Sequence, residues 1–266
     1  MEISLWKETL LPYSLAVDEL VVKFNHMKRA AEDMGKYSPI YSISGRVKSI
    51  TSILEKVMKK NIPLDQIEEQ LFDLAGVRII CQFLDDCMTV VEMIRNRDDM
   101  EIIEELDYIN NPKPSGYRSY HVKIRYKVQL FDAPKYIYAE IQIRTMGMNC
   151  WSTIEHSLQY KYKERMPEMI KGSISESANR MLDAEAELSR VRDDVMEAQA
   201  TRAQKRNLVT NIIVTILNIY QNSSRREAIR IQNEFLAIYK LDDYEKLKHF
   251  AAELDVIAEG FGAQSQ

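Results

Sequence analysis

The sequence predicts an α+β fold: a central mixed sheet of about five strands flanked by helices, with a long helical C-terminal extension. Three observations carry this expectation. Residues 7–34 set Leu10, Tyr13, Val17, Leu20, Val21, Phe24 and Met27 at three- and four-residue spacings, the pattern of an amphipathic helix. Residues 117–128 and 138–144 instead alternate apolar and polar side chains, as strands with one buried face do. From Trp151 the patterning is helical almost to the end.

Taken in order, the first helix ends at Gly35, and a loop through Ser38 and Pro39 leads to Gly45. A second helix follows to about Lys60, and Pro63 opens a short third one ending near Leu71. The β-branched and apolar run from Asp73 to Phe83 fits a central strand. A helix over 86–95 and a strand over 100–109 precede the two alternating strands. In the extension the spacing predicts helices over 175–203, 207–220 and 225–240, a turn at Asn222-Ser223-Ser224, and a last helix from Asp242. The expected division is therefore 1–203 for a main domain and 204–266 for an accessory helical hairpin. Its apolar positions Ile212, Ile216 and Ile219 point to a protein contact.

Composition narrows the class. A chain of 266 residues with 45% hydrophobic and 29% charged content buries a sizeable core. A net charge of −4 argues against a general nucleic-acid coat. The bases are nevertheless clustered: Arg46, Lys48, Lys56, Lys59 and Lys60 stand against the single acid Glu55 in 44–60. Lys113, Arg118, Lys123, Arg125 and Lys127 have no acid among them in 113–127. Local basic fields in an acidic protein suit a compact polyanion. Three cysteines without CxxC spacing indicate neither a disulfide framework nor zinc, and the expected compartment is the reduced cytosol. The longest apolar run, Ile212–Leu217, is far below the roughly 20 residues that span a bilayer, so no membrane partner is expected.

The chemistry concentrates in a few positions. On one face of the first alternating strand lie Tyr117, Ser119, His121, Lys123, Arg125 and Lys127; on one face of the second lie Glu140, Gln142 and Arg144. A single carboxylate among many bases is how an enzyme holds Mg²⁺ or takes a hydroxyl proton beside phosphates. Asp73 offers a second acid, although a regular strand would put positions 73 and 78 on opposite faces. Lys48, Ser52 and Lys56 share a helix face, with Arg46 just before it. The bland alternatives are a solvated helix face for the lysines, an edge tyrosine for Tyr117 and a core position for His121.

In chain order the motifs are Leu10-Leu11-Pro12-Tyr13, Gly45-Arg46-Val47-Lys48 with Ser52 and Lys56, and Asp73-Leu74-Ala75-Gly76-Val77-Arg78. Then come Asp107-Tyr108-Ile109, Lys113 to His121, Glu140-Ile141-Gln142-Ile143-Arg144-Thr145, and Trp151 with Ile154-Glu155-His156 and Tyr160-Lys161-Tyr162. Over about residues 8–200 this set resembles the synthetase domain of the RelA/SpoT family, most closely its small, RelQ-type alarmone synthetases. The resemblance implies transfer of the β,γ-pyrophosphate of ATP to the 3′-hydroxyl of GTP or GDP, giving AMP and guanosine penta- or tetraphosphate in stringent-response signalling. It implies that Arg46, Lys48, Ser52, Lys56 and Arg78 hold the ATP phosphates. Asp73 would bind Mg²⁺, with Glu140 sharing the ion or taking the 3′-hydroxyl proton. Lys113, His121, Gln142 and Arg144 would position the acceptor, with Tyr117 stacked on guanine and Asn149 beside it. A homo-oligomer is implied as well, tetrameric in some small synthetases.

The chain also departs from the family. No histidine is followed by Asp, so the His-Asp hydrolase motif of the long bifunctional relatives is missing and synthesis without breakdown is expected. Many relatives carry a Lys before the position of Asp107, where this chain reads Glu104-Glu105-Leu106, a change that bears on acceptor preference. Two other readings compete: the same transfer to an adenosine nucleotide or a tRNA 3′ end, and a single-stranded-RNA-binding regulator on this fold. Acidic net charge and a lone acid at the strand centre weigh against the second.

Overall fold

Alternation decides the sheet, and the sheet decides where the polar residues go. The computed structural model describes residues 3–161, 167–222 and 224–260, so Tyr162 of the last motif and Ser223 of the expected turn lie outside the described residues. The first elements are α1 Ile3–Asp33, β1 Ser42–Val47, α2 Ile50–Lys60, a short 3₁₀ turn Leu64–Gln66 and α3 Ile67–Gln70. They are followed by β2 Ala75–Cys81, α4 Leu84–Arg95, β3 Glu101–Asp107, β4 Tyr120–Gln129 and β5 Pro134–Thr145. Helices complete the chain: α5 Met146–Lys161, α6 Glu168–Asn222, α7 Arg225–Lys240 and α8 Tyr244–Gly260.

The five strands run in the order β1-β2-β5-β4-β3, with β2 and β5 parallel and the other neighbours antiparallel. This is the mixed sheet expected from the sequence, with one strand placed differently. Residues 42–47 form β1 instead of a loop, because Ser42–Val47 finds a ladder along β2. A six-residue strand containing Gly45 and Arg46 has too little alternation to be read without its partner.

One sheet face is apolar. Val77 and Ile79 of β2, Val122, Ile124, Tyr126 and Val128 of β4, and Ala139, Ile141 and Ile143 of β5 are all buried. They form one core with Tyr13, Ala16, Val17, Leu20 and Phe24 of α1 and with Cys87, Val90, Val91 and Ile94 of α4. Close approach of α1 explains Gly45: a Cβ there would lie 2.5 Å from Val17 Cγ1 and 2.8 Å from Val21 Cγ2. Because side chains alternate, the polar residues between these apolar ones are forced to the other face.

Contacts divide the chain into two compact units, Met1–Ser189 and Arg190–Gln266. The division falls inside α6, earlier than the boundary near 203 expected from the helical patterning. The expected break between helices at 203 and 207 is absent, since α6 is continuous over 55 residues. Neither Gly nor Pro occurs between 173 and 222, so nothing stops the helix. The second unit has its own core, in which Ile212, Ile216 and Ile219 meet Ile231 and Phe235 of α7 and Leu247, Phe250 and Leu254 of α8. This corrects the reading of Ile212, Ile216 and Ile219 as a protein-contact face: at 1%, 9% and 0% exposure they are spent inside the unit. No helix among the described residues is long and apolar enough to cross a membrane.

Candidate active site

Strand register assembles the polar face as two rows. Across the sheet, Arg46 pairs with Gly76, Gly76 with Glu140, Glu140 with Lys123, and Lys123 with Glu104. The next row runs Ser44, Arg78, Gln142, His121 and Leu106. Gly76 has no side chain to stand between Arg46 and Glu140; a Cβ there would meet only Arg46 O, at 3.7 Å.

Two cavities open over these rows. The first, about 130 Å³, is lined by Ser44, Gly45, Arg46, Lys48, Asp73, Gly76, Val77, Arg78, Glu140 and Gln142. The second, about 390 Å³, is lined by Lys56, Lys60, Phe72, Asp73, Tyr108, Lys113, Tyr117, His121, Lys123, Glu140 and Gln142, among others. Asp73, Glu140 and Gln142 belong to both. One cavity is ringed by cations and the other by aromatics and bases, and the acids stand where they meet.

Asp73 lies in the turn before β2 begins at Ala75, so it escapes the strand alternation and lines the first cavity together with Arg78. Its Oδ2 accepts from Lys48 Nζ at 2.9 Å and from Lys56 Nζ at 2.7 Å. Burial opposes ionisation of Asp73, but the hydrogen bonds from Lys56 and Lys48 outweigh it and hold the carboxyl below its ordinary value. Lys48 reaches Asp73 from just before α2, and Lys56 from the second turn of that helix. Arg46 is exposed and belongs to β1, so it does not stand at the helix terminus as the sequence suggested. Ser52 lines neither cavity; its N–H donates to the Ser49 N-cap at 3.3 Å.

Glu140 is held differently. Its side chain is 13% exposed, its Oε1 accepts from Gln142 Nε2 at 2.7 Å, and His121 Nδ1 makes a long contact at 3.5 Å. Burial raises its pKa, yet His121 and the Gln142 amide together bring the carboxyl below its ordinary value. Glu140 is therefore a carboxylate at neutral pH.

One aromatic of the second cavity, Tyr117, is presented by a turn. Gly116 has φ +92°, its N–H donates to Lys113 O at 2.8 Å, and Lys113 N donates to Tyr117 O at 3.2 Å. Lys113 Nζ then sits 4.6 Å from the Tyr108 ring centroid and 4.9 Å from that of Tyr117. Tyr117 is half-buried, with its hydroxyl 2.8 Å from His121 Nε2. β4 begins only at Tyr120, so Tyr117 reaches the cavity from the turn, not from the strand. Ser119, expected on the same polar face, is fully buried and donates to Ile143 O at 3.1 Å.

Residues 45–165 match the family described as "Region found in RelA / SpoT proteins". The GTP pyrophosphokinase YjbM of Bacillus subtilis is 44% identical over 201 residues, covering 76% of this chain and 95% of that protein. The small alarmone synthetase 1 from Bacillus subtilis bound to its product pppGpp superposes with a TM-score of 0.69 at 44% identity, covering 71% of this chain and 97% of that one. The same synthetase bound to AMPCPP gives 0.64 at 39%, covering 73% and 99%. The chain belongs to the RelA/SpoT family. Within it, the likeness is to the small alarmone synthetases.

Most of the residues that the RelA/SpoT resemblance marked are brought together: Arg46, Lys48, Asp73, Arg78, Glu140 and Gln142 around the first cavity, Lys56, Lys113, Tyr117 and His121 around the second. Three are placed elsewhere: Ser52, Asn149 and Arg144. Asn149 lines neither cavity, and its Oδ1 accepts at 3.4 Å from Nη1 of Arg78, a residue of the first cavity. Arg144 is 2% exposed and lines neither cavity, so it is no surface for an acceptor to touch. Tyr108 and Phe72 line the second cavity without having been singled out. For Tyr108 the available signal was its motif, Asp107-Tyr108-Ile109; for Phe72, none but its place beside Asp73.

The donor set fits a magnesium ion. Asp73 Oδ1 is buried without a hydrogen-bond partner while the same carboxylate borders both cavities, and Glu140 stands beside it. Mg²⁺ takes one or two carboxylates and completes its shell with water and phosphate oxygens. No cluster of three or more candidate ligands exists among the described residues.

Proposed function

We infer that this chain is a GTP pyrophosphokinase that moves the β,γ-pyrophosphate of ATP to the 3′-hydroxyl of GTP or GDP. The observation that carries the reading is that Glu140 borders a cation-ringed cavity and an aromatic one at once. The first suits a polyphosphate, with Arg46, Lys48, Lys56 and Arg78 as its counter-charges. The second suits a purine nucleoside, with Tyr117 and Tyr108 offering ring faces and Lys113 and His121 offering donors.

In this reading Glu140 takes the 3′-hydroxyl proton as the 3′-oxygen attacks the β-phosphorus of ATP. The new bond is O3′–Pβ, the bond broken joins Pβ to the α,β-bridging oxygen, and AMP leaves with that oxygen. Asp73 and Glu140 would hold Mg²⁺, which supplies neutralising charge to the phosphates. Lys48 and Lys56 exchange Asp73 for phosphate oxygens when ATP arrives, and Arg78, kept in line by Asn149, faces the transferred group. Catalysis of this kind is positioning and charge neutralisation. The reaction would take place in the cytosol.

The test is incubation of the purified protein with ATP and Mg²⁺ plus GTP, GDP, GMP or no acceptor, with nucleotides resolved by ion exchange. Guanosine pentaphosphate from GTP, tetraphosphate from GDP and an equal amount of AMP are expected. A product formed as readily from ATP alone would overturn the guanosine assignment. Glu140→Ala and Asp73→Ala should each fold normally and lose at least about two to three powers of ten in rate; normal turnover in either would refute its role.

A further inference from the structure

Arg144 is the largest fully buried side chain among the described residues, and the pyrophosphate transfer makes no direct use of it. Its Nη2 donates to Tyr117 Oη at 2.8 Å and to Gln142 Oε1 at 2.7 Å, and its Nη1 donates to Ser152 Oγ of α5 at 3.0 Å. The two Nη2 bonds begin arms that both end on Glu140. Gln142 Nε2 donates to Glu140 Oε1, while Tyr117 Oη meets His121 Nε2, whose Nδ1 faces the same Oε1. Arg144, Gln142, Glu140, His121 and Tyr117 thus form a ring from guanidinium to carboxylate.

The direction of the Gln142 arm follows from Arg144, and the Tyr117 arm has one arrangement in which every member is paired. A guanidinium only donates and a carboxylate only accepts. Gln142 therefore has one amide orientation that satisfies both, with its oxygen to Arg144 and its nitrogen to Glu140. Tyr117 Oη accepts from Arg144, and in the arrangement proposed below it gives its own proton to His121 Nε2. An imidazole that accepts at Nε2 carries its proton at Nδ1, the atom facing Glu140. Both arms deliver a donor to Oε1, and no described hydrogen bond goes to Oε2.

We propose that Arg144 is a positioning residue that, through Tyr117 and Gln142, fixes the His121 tautomer and the Gln142 amide so that Glu140 Oε1 is held and Oε2 is left for the reacting hydroxyl. This deepens the proposed role of Glu140 and rests on it. It assigns Arg144 away from direct acceptor contact, in keeping with its burial. Lysine cannot replace it, because one ammonium lacks the planar fork that reaches Tyr117, Gln142 and Ser152 together.

The experiment reads the tautomer and the kinetics separately. Protein labelled with ¹⁵N-histidine is studied by long-range ¹H–¹⁵N correlation near pH 8, with His121 assigned by the signal lost in His121→Asn. The native protein should show His121 with a non-protonated Nε2 and a protonated Nδ1. Tyr117→Phe, which keeps the ring and removes only the hydroxyl, and Arg144→Lys should both give a tautomer mixture. In Arg144→Lys, kcat should fall roughly ten- to hundredfold, as for other residues that orient a functional group, with both nucleotide KM values within about threefold of native. A native Nε2–H tautomer overturns the proposal, as does unchanged kcat in Arg144→Lys or a rise confined to the acceptor KM. Should Arg144→Lys not fold, Tyr117→Phe carries the tautomer test alone. A native protein that makes no guanosine product but shows the Nδ1–H tautomer would sink the proposed function and leave this hydrogen-bond circuit standing.

Discussion

The two carboxylates at the centre of the site are held by opposite means. Asp73 is gripped by charge: two lysines, whose side chains are 20% and 29% exposed, reach it from the start and middle of one helix region. Glu140 is gripped by direction: an amide and an imidazole, both backed by a buried guanidinium, converge on one of its oxygens. Charge pairs tolerate movement, since an ammonium on a four-carbon stem can change partners. Hydrogen-bonded rings do not, because each member fixes the next. In the proposed reaction the first cavity is therefore suited to exchange of ions, and the surroundings of Glu140 to keeping one oxygen still.

Replacing Lys48 and Lys56 together by Met would break this comparison most severely. It removes two phosphate partners and leaves Asp73 unpaired. We expect kcat/KM for ATP to fall by about two orders of magnitude, with the acceptor KM nearly unchanged. Raising ionic strength should mimic this weakly, since screening acts on the partly exposed lysine charges and leaves the buried ring alone. Initial rates against each nucleotide at low and high salt would check both statements.

The next effect is on stability. Gly45→Ala would press a methyl group into Val17 and Val21, where α1 lies against β1. Overpacking of this kind costs about 1–3 kcal/mol, a fall in melting temperature of roughly 2–10 °C for a unit this size. Calorimetry reads it directly, and an unchanged melting temperature would mean that α1 does not approach β1 so closely.

The smallest effect sharpens the contrast from outside the site. Glu185 of α6 accepts from Gly147 N at 2.8 Å at the start of α5, the helix that carries Asn149 and Ser152. Burial pushes its carboxyl above the ordinary value despite hydrogen bonds from Thr145 and Gly147, and its Oε2 has no partner. A raised folded pKa means that stability is full below the unfolded pKa and is lost as pH rises through the folded one. Glu185→Gln keeps an acceptor for Gly147 and removes that loss. Its stability relative to the native chain should rise by about 1 kcal/mol or less between mildly acidic and neutral pH. Denaturant melts at the two pH values would show it; a relative fall would mean that the Glu185 carboxyl is not raised by folding.

Much of the site was legible because strand alternation is a local property. Once Val122, Ile124 and Tyr126 faced inward, His121 and Lys123 had to face outward, and the same logic placed Glu140 and Gln142 opposite Ile141. The motif order from Gly45 to Trp151 added the family and its chemistry. Arg144 was misplaced for a reason that alternation does not contain. It shares the face of Glu140 and Gln142, but the Tyr117 turn and α5 close over it, so an outward position became a buried one. Likewise Ile212, Ile216 and Ile219 form an apolar stripe whatever covers it, and only the return of α7 and α8 makes it a core.

By itself, then, the order of side chains determined most of the helices and strands, the polar face of the two alternating strands, and the family. Those follow from periodicities of two and 3.6 and from short motifs, all local along the chain. Only the tertiary structure decided that β1 pairs with β2, that Asp73 sits outside the strand beside Arg78, and that Glu140 stands between two cavities. Each of these depends on contacts between segments far apart in sequence, and a register or a closure has no local signature.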